Sequence, residues 1–160
     1  MDIKNKLSQN ITNALNMHSY KNLLLYEDNK DKYITEVFNN LNIVYKTISN
    51  IDKTEDFKKN SLLVISVDES LKKISDIDKK LGQLILRLNK NIILINKLNF
   101  SEYLDNYVHK VLMSLGFKLY DQVNQENVYF FLYIYNINNY KNVPDWLNSE
   151  NWANPELWEK

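Results

Sequence analysis

Apolar positions along this chain alternate between helical and extended spacing. Ile3, Leu7, Ile11 and Leu15 recur every four residues, which places them on one face of an amphipathic helix ending near His18. Residues 23–26 form an apolar run that predicts a first strand. Ile34, Val37, Phe38 and Leu41 then give a short helix over 33–41, and residues 43–48 read as a second strand. Residues 49–60 are polar and charged, too short for another strand and helix with their connections, and read as a loop. Residues 61–67 are almost wholly apolar, the pattern of a parallel strand covered on both faces, and end at Asp68.

The second half continues in the same manner. Leu71, Ile74, Ile77, Leu81, Leu84, Ile85 and Leu88 form a helical stripe with a possible break at Ser75-Asp76, and residues 91–95 form a further buried strand. Ser101 suits an N-cap, Leu104, Val108, Val111, Leu112 and Leu115 follow at helical spacing, and Gly116 suits the left-handed position that closes a helix. Residues 117–123 and 128–135 read as strands joined by a tight polar connection, Asn124-Gln125-Glu126-Asn127, and so as an antiparallel hairpin at the sheet edge. Tyr129, Tyr133 and Tyr135 fall on one face of the last strand and Phe130, Leu132 and Ile134 on the other, so either both faces are covered or the tyrosine face is an interaction surface. The tyrosine-rich strand, taken as the edge, is the first place to expect pairing with another chain.

This order of elements predicts an α/β fold: one Rossmann-like domain with a mostly parallel sheet, a C-terminal antiparallel hairpin and helices on both faces. A chain of 160 residues suits one such domain, able to bury roughly 68–70% of its unfolded surface. The domain spans 1–138, and 139–160 forms a tail expected to pack on it.

Charge removes several function classes. The 20 basic and 20 acidic residues cancel, no polybasic run occurs, and Arg87 is the only arginine. The electrostatic footprint and the guanidinium forks that favour nucleic acid or an anionic membrane are both missing. With no cysteine there are no disulfides, thiolate metal sites or cysteine nucleophiles, which agrees with a reducing, cytoplasmic setting. The polar start Met1-Asp2-Ile3-Lys4 does not read as a signal peptide, and no apolar run approaches the roughly 20 residues of a membrane span. His18 and His109 are far apart and lack ligand spacing, so no metal site is expected, and His109 reads as a surface or boundary residue. No Gly-x-Ser-x-Gly elbow, Walker loop or His-Glu-x-x-His motif occurs.

The turn after the first strand is the chief departure from a ligand-binding α/β fold. It reads Glu27-Asp28-Asn29-Lys30-Asp31, without the glycine that allows positive φ and close backbone approach to a cofactor.

Two resemblances bear on function. The succession of βαβ, buried strands, helix, Leu115-Gly116-Phe117, strand, hairpin and strand resembles the class I S-adenosylmethionine-dependent methyltransferase fold over about residues 1–138. The string Tyr140-Lys141-Asn142-Val143-Pro144-Asp145-Trp146-Leu147-Asn148, followed by Asn151-Trp152-Ala153-Asn154-Pro155-Glu156-Leu157-Trp158, is similar to the C-terminal signature of a small bacterial, methyltransferase-like family of unknown function. If the first resemblance extends to a cofactor, S-adenosylmethionine would lie at the carboxyl ends of the strands, near Glu27, Asp28 and Asp68, with Asp52 as the acid available to its ribose. The altered turn favours instead a non-catalytic binding or regulatory module without a cofactor, acting through an unidentified protein partner. A third arrangement, the acids Glu27, Asp28 and Asp68 with Lys97, resembles a Mg-binding receiver domain, against the plainer reading that strand-end acids such as Asp68 cap the helices that follow.

Trp146, Trp152 and Trp158 are six residues apart, about 240° per step on a helix, so one straight helix cannot point all three the same way. They either seal part of the sheet or form an interaction tail.

Overall fold

The computed structural model describes residues 3–28, 31–51, 60–68, 76–88, 91–99 and 107–135. Within them lie α1 (Ile3–Asn16), β1 (Asn22–Glu27), α2 (Tyr33–Asn40), β2 (Lys46–Thr47), β3 (Ser61–Val67), α3 (Ile77–Leu88), β4 (Ile92–Asn99), α4 (Tyr107–Ser114), β5 (Lys118–Gln125) and β6 (Val128–Tyr135). The six strands form one sheet in the order β2-β1-β3-β4-β6-β5. β2, β1, β3 and β4 pair in parallel, and the β5–β6 hairpin joins them antiparallel through β6. The α/β class, the mostly parallel sheet and the C-terminal hairpin are those expected from the sequence. The expected tail at 139–160 lies outside the described residues.

Period-two alternation divides the central strands between two apolar layers. Leu23 and Leu25 of β1, Leu62 and Val64 of β3, and Ile93 and Ile95 of β4 meet Leu7, Ile11 and Leu15 of α1 and Ile34, Val37 and Phe38 of α2. Leu63, Ile65 and Val67 of β3 and Leu94 and Leu98 of β4 face the other way. They meet Leu81 and Leu84 of α3 and Val108 and Leu112 of α4. β3 is buried at every position, as its unbroken apolar run requires.

Three expectations are corrected. The second strand is a two-residue ladder, because Asn42 at φ 53° and the bonds from Asn42 N–H to Asn39 O and Ile43 N–H to Phe38 O close α2 first. β4 extends to Asn99, since β6 pairs with it along its full length, so Lys97 lies inside a strand rather than after one. The tyrosine-rich β6 is not the edge. It is sandwiched between β4 and β5, and Tyr133 is fully buried. β5 is the edge instead, and an irregularity between Leu119 and Asp121 interrupts its ladder, which blunts pairing with another chain.

Gly116 closes α4 as expected. It adopts φ 93°, its N–H donates to Met113 O, and the N–H of Phe117 donates to Leu112 O, the two bonds of a Schellman closure.

At the amino end of the sheet, His18 is buried, with Nδ1 3.2 Å from Asn91 Oδ1. Because that oxygen accepts, Nδ1 carries the proton, and Nε2 is buried without a hydrogen-bond partner among the described residues. Burial pushes the His18 pKa below 6.5, outweighing the opposite influence of the Asn91 bond. The folded protein therefore binds fewer protons at His18 than the unfolded chain does, so this contribution is fully present above the unfolded value and is lost as pH falls below it. Urea unfolding of the native protein and H18L between pH 7.5 and 5 checks this. The native protein should lose more stability than H18L over that window, and parallel profiles would refute the assignment.

Candidate functional site

The chain leaves β1 outward to β2 and returns on the other side of β1 as β3, so the strand order reverses between β1 and β3. In open α/β sheets the crevice at the carboxyl ends beside such a reversal is the usual ligand position. Glu27, Asp28 and Asp68 all lie at this end.

Glu27 points to the α1/α2 side, and its carboxylate caps α2. Oε1 accepts from the Ile34 N–H at 2.7 Å, and Oε2 accepts from the Thr35 N–H at 3.1 Å and the Thr35 hydroxyl at 2.6 Å. The local sequence explains why the cap comes from so far upstream. The N-cap residue of α2 is Lys32, in a left-handed conformation at φ 46° and without a capping side-chain bond, because an ammonium has no acceptor. Donors at a helix start that could receive an anionic ligand are thus held by a carboxylate of the chain itself.

Asp28 is exposed, and its N–H donates to Ser66 O, extending the β1–β3 ladder by one bond. Asp68 is half-buried at the end of β3. α3 begins only at Ile77, after Asp76 at φ 60°, and 69–75 lie outside the described residues, so the cap expected of Asp68 is not placed. Asp52 and Trp146, Trp152 and Trp158 also lie outside them.

Sequence reasoning missed an ion pair at this end of the sheet. Lys97 Nζ lies 2.8 Å from Asp31 Oδ2, with the lysine side chain 24% exposed and the aspartate 66%. The last β3–β4 register pair is Val67 with Asn96, so Lys97 sits one residue beyond the end of β3. β3 lies between β4 and β1, so the pair spans the end of β3, with Asp31 reaching in from the turn after β1. Beside it, Tyr33 of α2 stacks on Phe130 of β6 at 5.0 Å, and Phe130 is the register partner of Lys97. Only the tertiary fold brings residues 31 and 97 together, so local spacing held no signal for the pair.

On the opposite face Asn96 is fully buried in β4, opposite Val67 and Phe131, and neither amide atom has a hydrogen-bond partner among the described residues. His109, expected at the surface or boundary, is half-buried on α4, with Nδ1 3.0 Å from the hydroxyl of Tyr133. Among the described residues no group of three or more His, Cys, Asp or Glu is placed to hold a metal ion. The first four strands follow the 2-1-3-4 order of a receiver, but an antiparallel hairpin stands where its fifth parallel strand would be. No described helix is long and apolar enough to cross a membrane.

Comparison with known proteins gives a solved structure and a family. The crystal structure of ribosomal protein L11 methylase from Lactobacillus delbrueckii subsp. bulgaricus is similar, with 16% identity and a TM-score of 0.38 over 72% of this chain. The match spans 58% of that protein, so this chain corresponds to little more than half of its length. No curated protein is similar enough to match. A family of unknown function, DUF6231, matches residues 5–160, nearly the whole sequence. The chain belongs to this family of unknown function.

Proposed function

We propose that this protein is a non-catalytic binding or regulatory module on a methyltransferase-like sheet, its cofactor turn rebuilt into a structural element. The observation that carries this reading is the Glu27 cap. A glycine turn would leave the α2 donors and the crevice open to a cofactor, whereas here Ile34 N–H, Thr35 N–H and the Thr35 hydroxyl are all held by one side chain. The Asp31–Lys97 pair supports it by tying the turn after β1 to β4 at the same end of the sheet. On this reading the protein works through a protein partner in the cytoplasm, in keeping with its balanced charge and lack of cysteine.

Thermal unfolding with S-adenosylhomocysteine titrated from micromolar to millimolar tests the proposal. A ligand at 100 times its Kd stabilises by about 2.7 kcal/mol, or roughly 5–10 °C for a domain of this size. The expected result is an unchanged midpoint. A saturable rise would overturn the proposal in favour of an active S-adenosylmethionine-dependent methyltransferase, and would make Asp28, Asp52 and Asp68 the residues to replace.

A further inference from the structure

The inward face of β4 carries an unexpected charge. Ile93 and Ile95 of that face are buried against α1 and α2, and the next residue on it is Lys97. Its stem follows that layer, and its ammonium emerges at the carboxyl end of the strand, where it meets Asp31 in an exposed bond. Asp31 belongs to the turn between β1 and α2 and its side chain is 66% exposed, so an acid displaced from Lys97 returns to water while the lysine stays anchored in its strand. The lysine has three donor hydrogens, and the one partner the structure gives it among the described residues is this carboxylate.

We propose that Lys97 is an oxyanion-binding residue at the carboxyl end of the sheet, with Asp31 as the internal carboxylate that occupies it until a small anionic ligand takes its place. The ligand is a phosphate or carboxylate group on a small molecule, because a compact ammonium recognises such oxygens as a point charge. The ring pair Tyr33–Phe130 supplies a flat apolar wall beside it. A polyanion is not favoured by a sequence whose 20 basic and 20 acidic residues cancel and that has no polybasic run. This inference rests on the binding-module reading and adds the regulation of that site: the ligand displaces Asp31 from Lys97.

The experiment is an NMR titration of the full chain with inorganic phosphate and, separately, acetate, following the backbone amides of residues 31–35 and 97. It is run on the native protein and on D31N, D31N/K97M and D78N. D78N makes the same charge change on α3, which packs on the other face. The expected result is at least tenfold tighter binding of one of the two anions by D31N than by the native protein. D78N should stay at the native value, and D31N/K97M should return to it. The anion that responds identifies the ligand chemistry. No gain in D31N, an equal gain in D78N, or a gain that survives K97M would each overturn the proposal. None of these outcomes depends on S-adenosylhomocysteine, so the site can fail while the non-catalytic reading stands. A shift with S-adenosylhomocysteine that persists in D31N/K97M would sink that reading alone.

Discussion

Glu27→Ala is expected to destabilise the protein by about 2 kcal/mol, more than an ordinary N-cap loss of about 1 kcal/mol. The excess follows from the number and charge of the bonds removed. One carboxylate accepts from two backbone N–H groups and a hydroxyl, and it sits where the helix dipole favours negative charge. Its loss leaves α2 with Lys32, which has no acceptor to offer in exchange. Ile34, Val37 and Phe38 hold α2 on the sheet by burial, so the helix should fray at its first turn while the fold persists. Urea denaturation gives the size of the effect, and hydrogen exchange at Ile34 and Thr35 gives its location. A cost below about 0.5 kcal/mol, within the range of an ordinary surface substitution, would show that the carboxylate is dispensable to α2 and would remove the main support for a structural turn.

Asn96→Leu is expected to act in the opposite direction, raising stability by roughly 1–3 kcal/mol. Leucine has the same branching and number of heavy atoms, and the surroundings are apolar: Val67 on one side, Phe131 on the other, and Leu94 and Leu98 along the strand. The substitution removes a carboxamide that is buried without a partner among the described residues and replaces it with burial that the layer already favours. The increase in the denaturant midpoint at constant slope is the quantity to measure. A decrease would mean that the amide is hydrogen-bonded in solution, and would make Asn96 a structural anchor of β4.

The elements were legible in the sequence wherever apolar spacing was long and regular. The four-residue recurrence from Ile3 to Leu15 gives α1, and the unbroken run of Ser61–Val67 gives a strand buried on both faces. Gly116 marked the end of α4 because its left-handed geometry has a recognisable residue. The same geometry at Lys32, Asn42, Asn60, Asp76 and Glu126 is unmarked by glycine. The helix over 33–41 matches Tyr33–Asn40 with its C-cap at Leu41, whereas the strand expected over 43–48 shrinks to Lys46–Thr47. The inner position of the tyrosine-rich strand was also hidden, since which strand of a hairpin faces the sheet depends on the neighbour each can pair with.

The candidate site divides along the same line. The sequence by itself determined that the first turn lacks the glycine of an open cofactor loop and that acids stand at the ends of β1 and β3, because residue types at known positions along a strand are enough for that. Only the tertiary structure decided what those groups do. Glu27 reaches forward to α2, and Lys97 crosses the end of β3 to Asp31, 66 residues away in the chain. A charged side chain's role is set by the partner it meets, and here those partners are chosen by how the helix packs and by strand order, which local periodicity does not encode.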